Sequence, residues 1–148
     1  MKMKIRMLLL LVAVSGACKE GSTAGAKTVE ELTDKIIVAI QKKDAAACGS
    51  FARDHEPGGS TPASVTESCK AILSTLEADG ATPADLTVDD RACSSEEFSN
   101  PDQWTAEGRC EVALSAGTKR YVLLVPAVQN SKDVWGVNVR VKLRRLRS

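Results

Sequence analysis

Two periodicities divide the chain. In its first half, Val29, Leu32, Ile36 and Ile40 fall on one side of a helical wheel and Ile37 widens the stripe. Glu30, Glu31, Asp34, Lys35, Gln41 and Lys42 occupy the other side, which is the spacing of an amphipathic helix. Thr28 and Glu31 carry the T-x-x-E spacing of a capping box, in which each side chain satisfies a backbone N–H of the first turn. The helix is therefore expected to begin at Thr28 and to run through KKDAAAC to Cys48 or Gly49. Residues 54–61 (DHEPGGST) are a loop by composition. In a second helix, Thr61 offers the N-cap and Pro62 the first helical position, where its missing N–H costs nothing. Val65, Cys69, Ile72, Leu73 and Leu76 trace its apolar stripe as far as Gly80.

Beyond Thr82 the period becomes two. Leu86-Thr87-Val88 begins a short strand leading towards Cys93, and a polar loop (SSEEFSNPDQ) follows. Trp104, Ala106, Gly108, Cys110, Val112 and Leu114 then alternate with polar or small residues, as expected of a strand with one wet face. Ala116-Gly117-Thr118 has the composition of a hairpin turn, and Lys119 to Val128 is the next strand, with Tyr121, Leu123 and Val125 facing inward. The last strand alternates Trp135, Val137, Val139, Val141 and Leu143 with Gly136, Asn138, Arg140, Lys142 and Arg144. Helices collected before an antiparallel sheet give an α+β class. The expected architecture is two N-terminal amphipathic helices packed on a four-stranded antiparallel meander, cone-like in outline.

The first eighteen residues change the setting. Lys2, Lys4 and Arg6 form a basic start, Met7 to Val14 an apolar run, and Ser15, Gly16 and Ala17 a small-residue segment ending at Cys18. This is the order of a secretory signal. Its apolar run is far shorter than the roughly 20 residues of a spanning helix. Cys18 directly after the small residues resembles the lipobox of bacterial lipoproteins, with Ser15 where a large aliphatic residue is usual and Val14 one position earlier. That resemblance implies cleavage before Cys18, lipidation of Cys18 and membrane attachment facing the periplasm or exterior. Residues 1–17 are then the signal, 18–27 a flexible tether and 28–148 a single α+β domain. Ordinary cleavage after Ser15 or Ala17 would instead leave five thiols in the mature chain. Lipidation of Cys18 leaves Cys48, Cys69, Cys93 and Cys110, an even set for an oxidising compartment. Cys48–Cys69 would join helix to helix and Cys93–Cys110 strand to strand. Cys93 is out of step with Leu86 and Val88, so this second pair requires a bulge or a strand end.

Charge is unevenly spread. Residues 18–118 carry nine Lys/Arg against eighteen Asp/Glu, whereas residues 119–148 carry eight against one. Such asymmetry points to acidic partners. Arg140, Lys142 and Arg144, expected on one face of the last strand, form with Arg145 the candidate recognition surface for anionic lipid or an acidic protein. Charges on an edge strand also guard against unwanted strand pairing. Export removes nucleic acid from consideration.

Little else suggests chemistry. His55, the one histidine, lies between Asp54 and Glu56 in a Pro/Gly-rich loop, with no nucleophile tied to it by spacing. The cysteines form no C-x-x-C pair of the kind that builds zinc sites. Asp89-Asp90, Glu96-Glu97 and Asp102 lack the glycine turn and alternating ligands of a calcium loop. No metal or cofactor is expected. The order of elements over residues 28–145 resembles the nuclear transport factor 2-like (cystatin-like) fold, whose members include enzymes, ligand binders and assembly domains. No motif of that fold carries a residue role across. The expected function is a non-catalytic, lipid-anchored binding or assembly module of the cell envelope. The alternative is a small-ligand carrier or enzyme using a pocket between sheet and helices.

Overall fold

A computed structural model describes residues 26–52, 60–97, 106–129 and 134–147. Cys18, His55, Asp102 and Trp104 lie outside the described residues, as do the segment expected to be a signal and most of the expected tether. Ala26, read as part of the tether, is already bound in: it is buried and exchanges two backbone hydrogen bonds with Trp135, at 3.2 and 2.8 Å.

Helix α1 (Val29–Gln41) starts where Thr28, in extended conformation, accepts a hydrogen bond from the Glu31 N–H at 3.0 Å. The capping box is half formed. Glu31 reaches back not to Thr28 but to the N–H of Lys27, at 3.1 Å, and that bond together with Lys35 holds its carboxyl below the usual glutamate value. The expected single helix to Cys48 is split. Lys43 takes a left-handed φ of 56°, and the N–H groups of Lys43 and Asp44 return to the carbonyls of Ile40 and Ala39. That is a Schellman ending. Asp44 then caps α2 (Ala45–Gly49) by accepting from the Ala47 N–H at 3.0 Å. Helix α3 (Pro62–Ala78) begins with Thr61 as N-cap, Pro62 in the first turn and a reciprocal box closed by Ser64. It ends through Gly80, φ 69°, in the same Schellman pattern, Gly80 and Ala81 bonding back to Glu77 and Leu76. A short 3₁₀ turn, Pro83–Asp85, leads into the sheet.

The structure is thus α+β with three helices and an antiparallel sheet of four to five strands: β1 (Thr87–Glu97), β2 (Ala106–Ala116), β3 (Lys119–Gln129), β4 (Trp135–Val137) and β5 (Lys142–Leu146). Strand β1 runs through Ser94 to Glu97, residues expected in a loop, because an edge strand lying largely in water tolerates polar side chains on both faces. The bulge required by Cys93 is present. Pairing shifts between Val88 and Asp90, so that Cys93 lies directly across from Cys110. Strands β2 and β3 are joined by the two residues Gly117 and Thr118, and only Gly117 is left-handed (φ 62°), the pattern of a II′ hairpin.

The expected last strand is broken. Both β4 and β5 pair with β3, but four residues of the edge, 138–141, stand opposite Val125 and Pro126 alone. The Asn138 N–H donates to the Pro126 carbonyl at 2.8 Å, so the side of Pro126 that lacks an N–H faces this edge. With no donor to return, the ladder stops there. Val139, expected in the core, instead stands 51% exposed at φ 68°. A β-branched residue in the left-handed region carries about 1–2 kcal/mol of strain, and Val139 recovers little of it by burial. Val139→Asn should therefore raise stability by about 1 kcal/mol, seen as a higher denaturation midpoint. A lower midpoint would mean that packing of Val139 outweighs its strain.

The core lies between the helices and one sheet face. Leu32, Ile36 and Ile40 of α1 and Val65, Cys69, Ile72 and Leu76 of α3 meet Val112, Leu114, Tyr121, Leu123, Val125 and Val137, all buried. Each large aliphatic side chain so removed from water contributes about 1.5–3 kcal/mol. Gly108 marks where α1 sits closest, since a Cβ there would meet Val29 Cγ2 and the Ser94 carbonyl oxygen, both at 2.8 Å. Two disulfides, Cys48–Cys69 and Cys93–Cys110, join α2 to α3 and β1 to β2.

Candidate functional site

The register of β5 divides the basic residues. Lys142 lies beside Leu124 and Arg144 beside Val122, whereas Leu143 and Arg145 lie beside the buried Leu123 and Tyr121. Lys142 and Arg144 therefore project from the outer face, away from the helices, and both are exposed. Neither makes an ion pair among the described residues. Arg140 is exposed too, but it sits in the interrupted segment and not on the strand face where it was expected.

Arg145 belongs to the inner face and is used internally. Its guanidinium donates to Asp79 Oδ1 at 2.9 Å, and the Tyr121 hydroxyl donates to Asp79 Oδ2 at 3.0 Å. Asp79 caps the C-terminus of α3, where the helix dipole disfavours an anion, so its two donors compensate for an unfavourable placement. Burial, and then the bond to Asp79 and its negative charge, push the Tyr121 hydroxyl above the ordinary tyrosine value, with Arg145 acting the other way. A tyrosine made harder to ionise, donating to a carboxylate, clasps α3 to β3 and β5. Sequence reasoning placed Tyr121 inward but missed its partner. The available signal was an aspartate at the negative end of a helix.

A groove of about 610 Å³ lies between α3 and the segment from Val139 to Leu143, walled on the helix side by Ser64, Ser68, Ala71 and Thr75. Ser68 Oγ accepts from the Val141 N–H at 3.3 Å across it. The one carboxylate lining it, Glu67, is paired with Lys70 at 3.0 Å. At the other end of the sheet, Arg91 of β1 reaches Asp34 of α1 at 2.6 Å. Both partners are partly exposed, and such pairs contribute little.

Among the described residues no three His, Cys, Asp or Glu side chains cluster as metal ligands, and no helix is long and apolar enough to cross a membrane. Cys48, Cys69, Cys93 and Cys110 are occupied by the two disulfides. What the described surface offers is charge: Lys142 and Arg144 of β5, with Arg109 and Arg120, are set by register on the outer sheet face without an ion pair among the described residues. No family model, curated protein or solved structure matches the chain.

Proposed function

We propose that the protein is a non-catalytic, lipid-tethered module of the cell envelope that works by surface contact, with the outer face of β5 meeting an acidic partner or anionic lipid. The observation that carries this reading is the pair Lys142 and Arg144, held outward by the β3–β5 register and without an acidic partner among the described residues. The Cys18 pattern supports the tether, and the inner positions of β2 and of β3 from Tyr121 to Ala127, apolar but for the Tyr121 hydroxyl, support the non-catalytic part. The alternative of a small-ligand site has the α3–β5 groove in its favour. Its hydroxyls, one paired glutamate and the cations Arg140 and Lys142, however, bring no base against a nucleophile.

The test is capture from solubilised envelope membranes by the full chain, at low and high salt. Exposed charges are screened beyond about 10 Å at 0.1 M salt, so capture should fall as salt rises. Each cation near an anionic surface contributes about 1 kcal/mol, and Lys142→Glu with Arg144→Glu should abolish capture while the fold persists. Cys18→Ser should release the chain from membranes yet leave capture intact. Capture that survives the double reversal at low salt would refute the contact reading.

A further inference from the structure

Strand β3 is apolar on both faces from Tyr121 to Val128, with the exposed Arg120 preceding the run on its outer face. Tyr121, Leu123, Val125 and Ala127 are buried beneath the helices, but the alternate positions Val122, Leu124 and Pro126, half-buried, are apolar as well, and Val128 at the end of the same face is itself buried. A strand with one wet face alternates, and an unbroken apolar run marks a strand covered on both sides. The contacts of α1 and α3 with the strands reported above, at Arg91, Gly108, Tyr121 and Arg145, are all on the inner face.

The two flanks of this apolar ridge carry opposite charge. On one side β5 presents Lys142 beside Leu124 and Arg144 beside Val122. On the other, β2 presents Glu111 beside Leu124 and Glu107 beside Val128, and β1 adds Asp90 and Glu96. Arg109 is the one cation on that flank. The uneven charge of the sequence is thereby resolved into two halves of a single face.

We infer that this face pairs with a second copy of the chain, ridge against ridge, about a two-fold axis running along β3. The inference rests on the contact reading above and names its acidic partner as another copy. A two-fold axis along the strands brings the acidic flank of each copy under the basic flank of the other, so that Glu111 meets Lys142 of the second copy. An axis across the strands would stack like on like. Val122 and Leu124 form the apolar centre and the charges form the rim, the usual anatomy of an interface. Four strand positions at about 4.8 Å and strands of eleven residues at about 3.4 Å project to about 700 Å², comparable to the roughly 800 Å² each partner buries in a stable pair. The same acidic flank argues against an anionic bilayer lying flat on this face.

The experiment is sedimentation equilibrium of the full-length Cys18→Ser chain over a salt series, with envelope capture measured on the same variants. A dimer that weakens with salt is expected. Leu124→Glu and Lys142→Glu should each lower its affinity at least about tenfold, the size of one lost buried contact or ion pair. Glu111→Lys combined with Lys142→Glu should restore it to within a few-fold. Failure of that charge swap to rescue would overturn the proposed axis. A chain monomeric throughout, whose capture still depends on Lys142, would overturn the dimer and leave the contact reading standing. A monomer whose capture ignores Lys142 would sink both, and sedimentation only with phosphatidylglycerol vesicles would replace the second copy by lipid.

Discussion

Replacing Cys48 and Cys69 together by alanine should lower the unfolding free energy by about 3 kcal/mol. The two residues are 21 apart in sequence, and both are wholly buried with Cα atoms 6.4 Å apart. Their cross-link closes a loop that the unfolded chain must otherwise close at an entropic cost. The folded side should change little, because α2 and α3 are in intimate contact without it. A Cβ on Gly49 would strike Thr66 Oγ1 and the Pro62 carbonyl oxygen. Small domains are stable by only about 5–15 kcal/mol, so the loss is large. It should appear as a lower urea midpoint with a somewhat steeper transition, because the unfolded chain without the cross-link is less compact. An unchanged midpoint would mean that the unfolded chain already holds these helices together.

Asp79→Ala should cost about 2 kcal/mol, more than Tyr121→Phe. Removing Asp79 leaves the Tyr121 hydroxyl buried without its acceptor. Removing the hydroxyl leaves Asp79 still bound to Arg145. The Arg145 contact itself adds little, being half exposed, and relief of the helix dipole offsets part of the loss. The clasp also has a pH signature. Because the folded tyrosine ionises above its ordinary value of 10.0, the unfolded chain gives up this proton first as pH rises. The contribution is therefore full below about pH 10 and is lost as pH climbs through the elevated folded value. Denaturation of the native chain and of Tyr121→Phe at neutral and alkaline pH checks this: the native chain should lose stability faster above pH 10. Equal costs for Asp79→Ala and Tyr121→Phe, or parallel pH curves, would remove Asp79 from its place as the acceptor.

The α+β class, the apolar faces of both long helices, the hairpin at Gly117 and the cysteine pairs were legible in the sequence because each rests on local spacing or on parity. The failures also have physical causes. Asp44 sits in a polar stretch, KKDAAAC, that continues a helix by composition, yet its carboxylate caps a new one. Pro126 was the available sign that the edge beside β3 would break, but it lies on the neighbouring strand, and the clean alternation from Trp135 to Leu143 concealed its effect. The break took Val139 out of the core and Arg140 off the strand face. Polar residues at the end of β1 read as loop because an edge strand needs no apolar pattern. Of the clasp, only the awkward place of Asp79 at the end of α3 was legible: its partners Tyr121 and Arg145 lie 42 and 66 residues away, and only the fold brings them together. The basic segment expected to act together is divided by the fold, which turns Lys142 and Arg144 out and Arg145 in.

The break opposite Pro126 also bears on how β5 finds its alignment. Four residues span a gap that two of β3 would fill, so the connection has slack, and β4 cannot dictate where β5 begins. A slip of one residue would reverse every side chain of the strand, burying Lys142 and Arg144 and exposing Leu143. What opposes that slip is local to β5: Leu143 packed against the core and Arg145 held by Asp79. Leu143, by staying against the core, thus acts as the index pin of the strand, with Arg145 a weaker mark on the same face, and its register turns Lys142 and Arg144 outward.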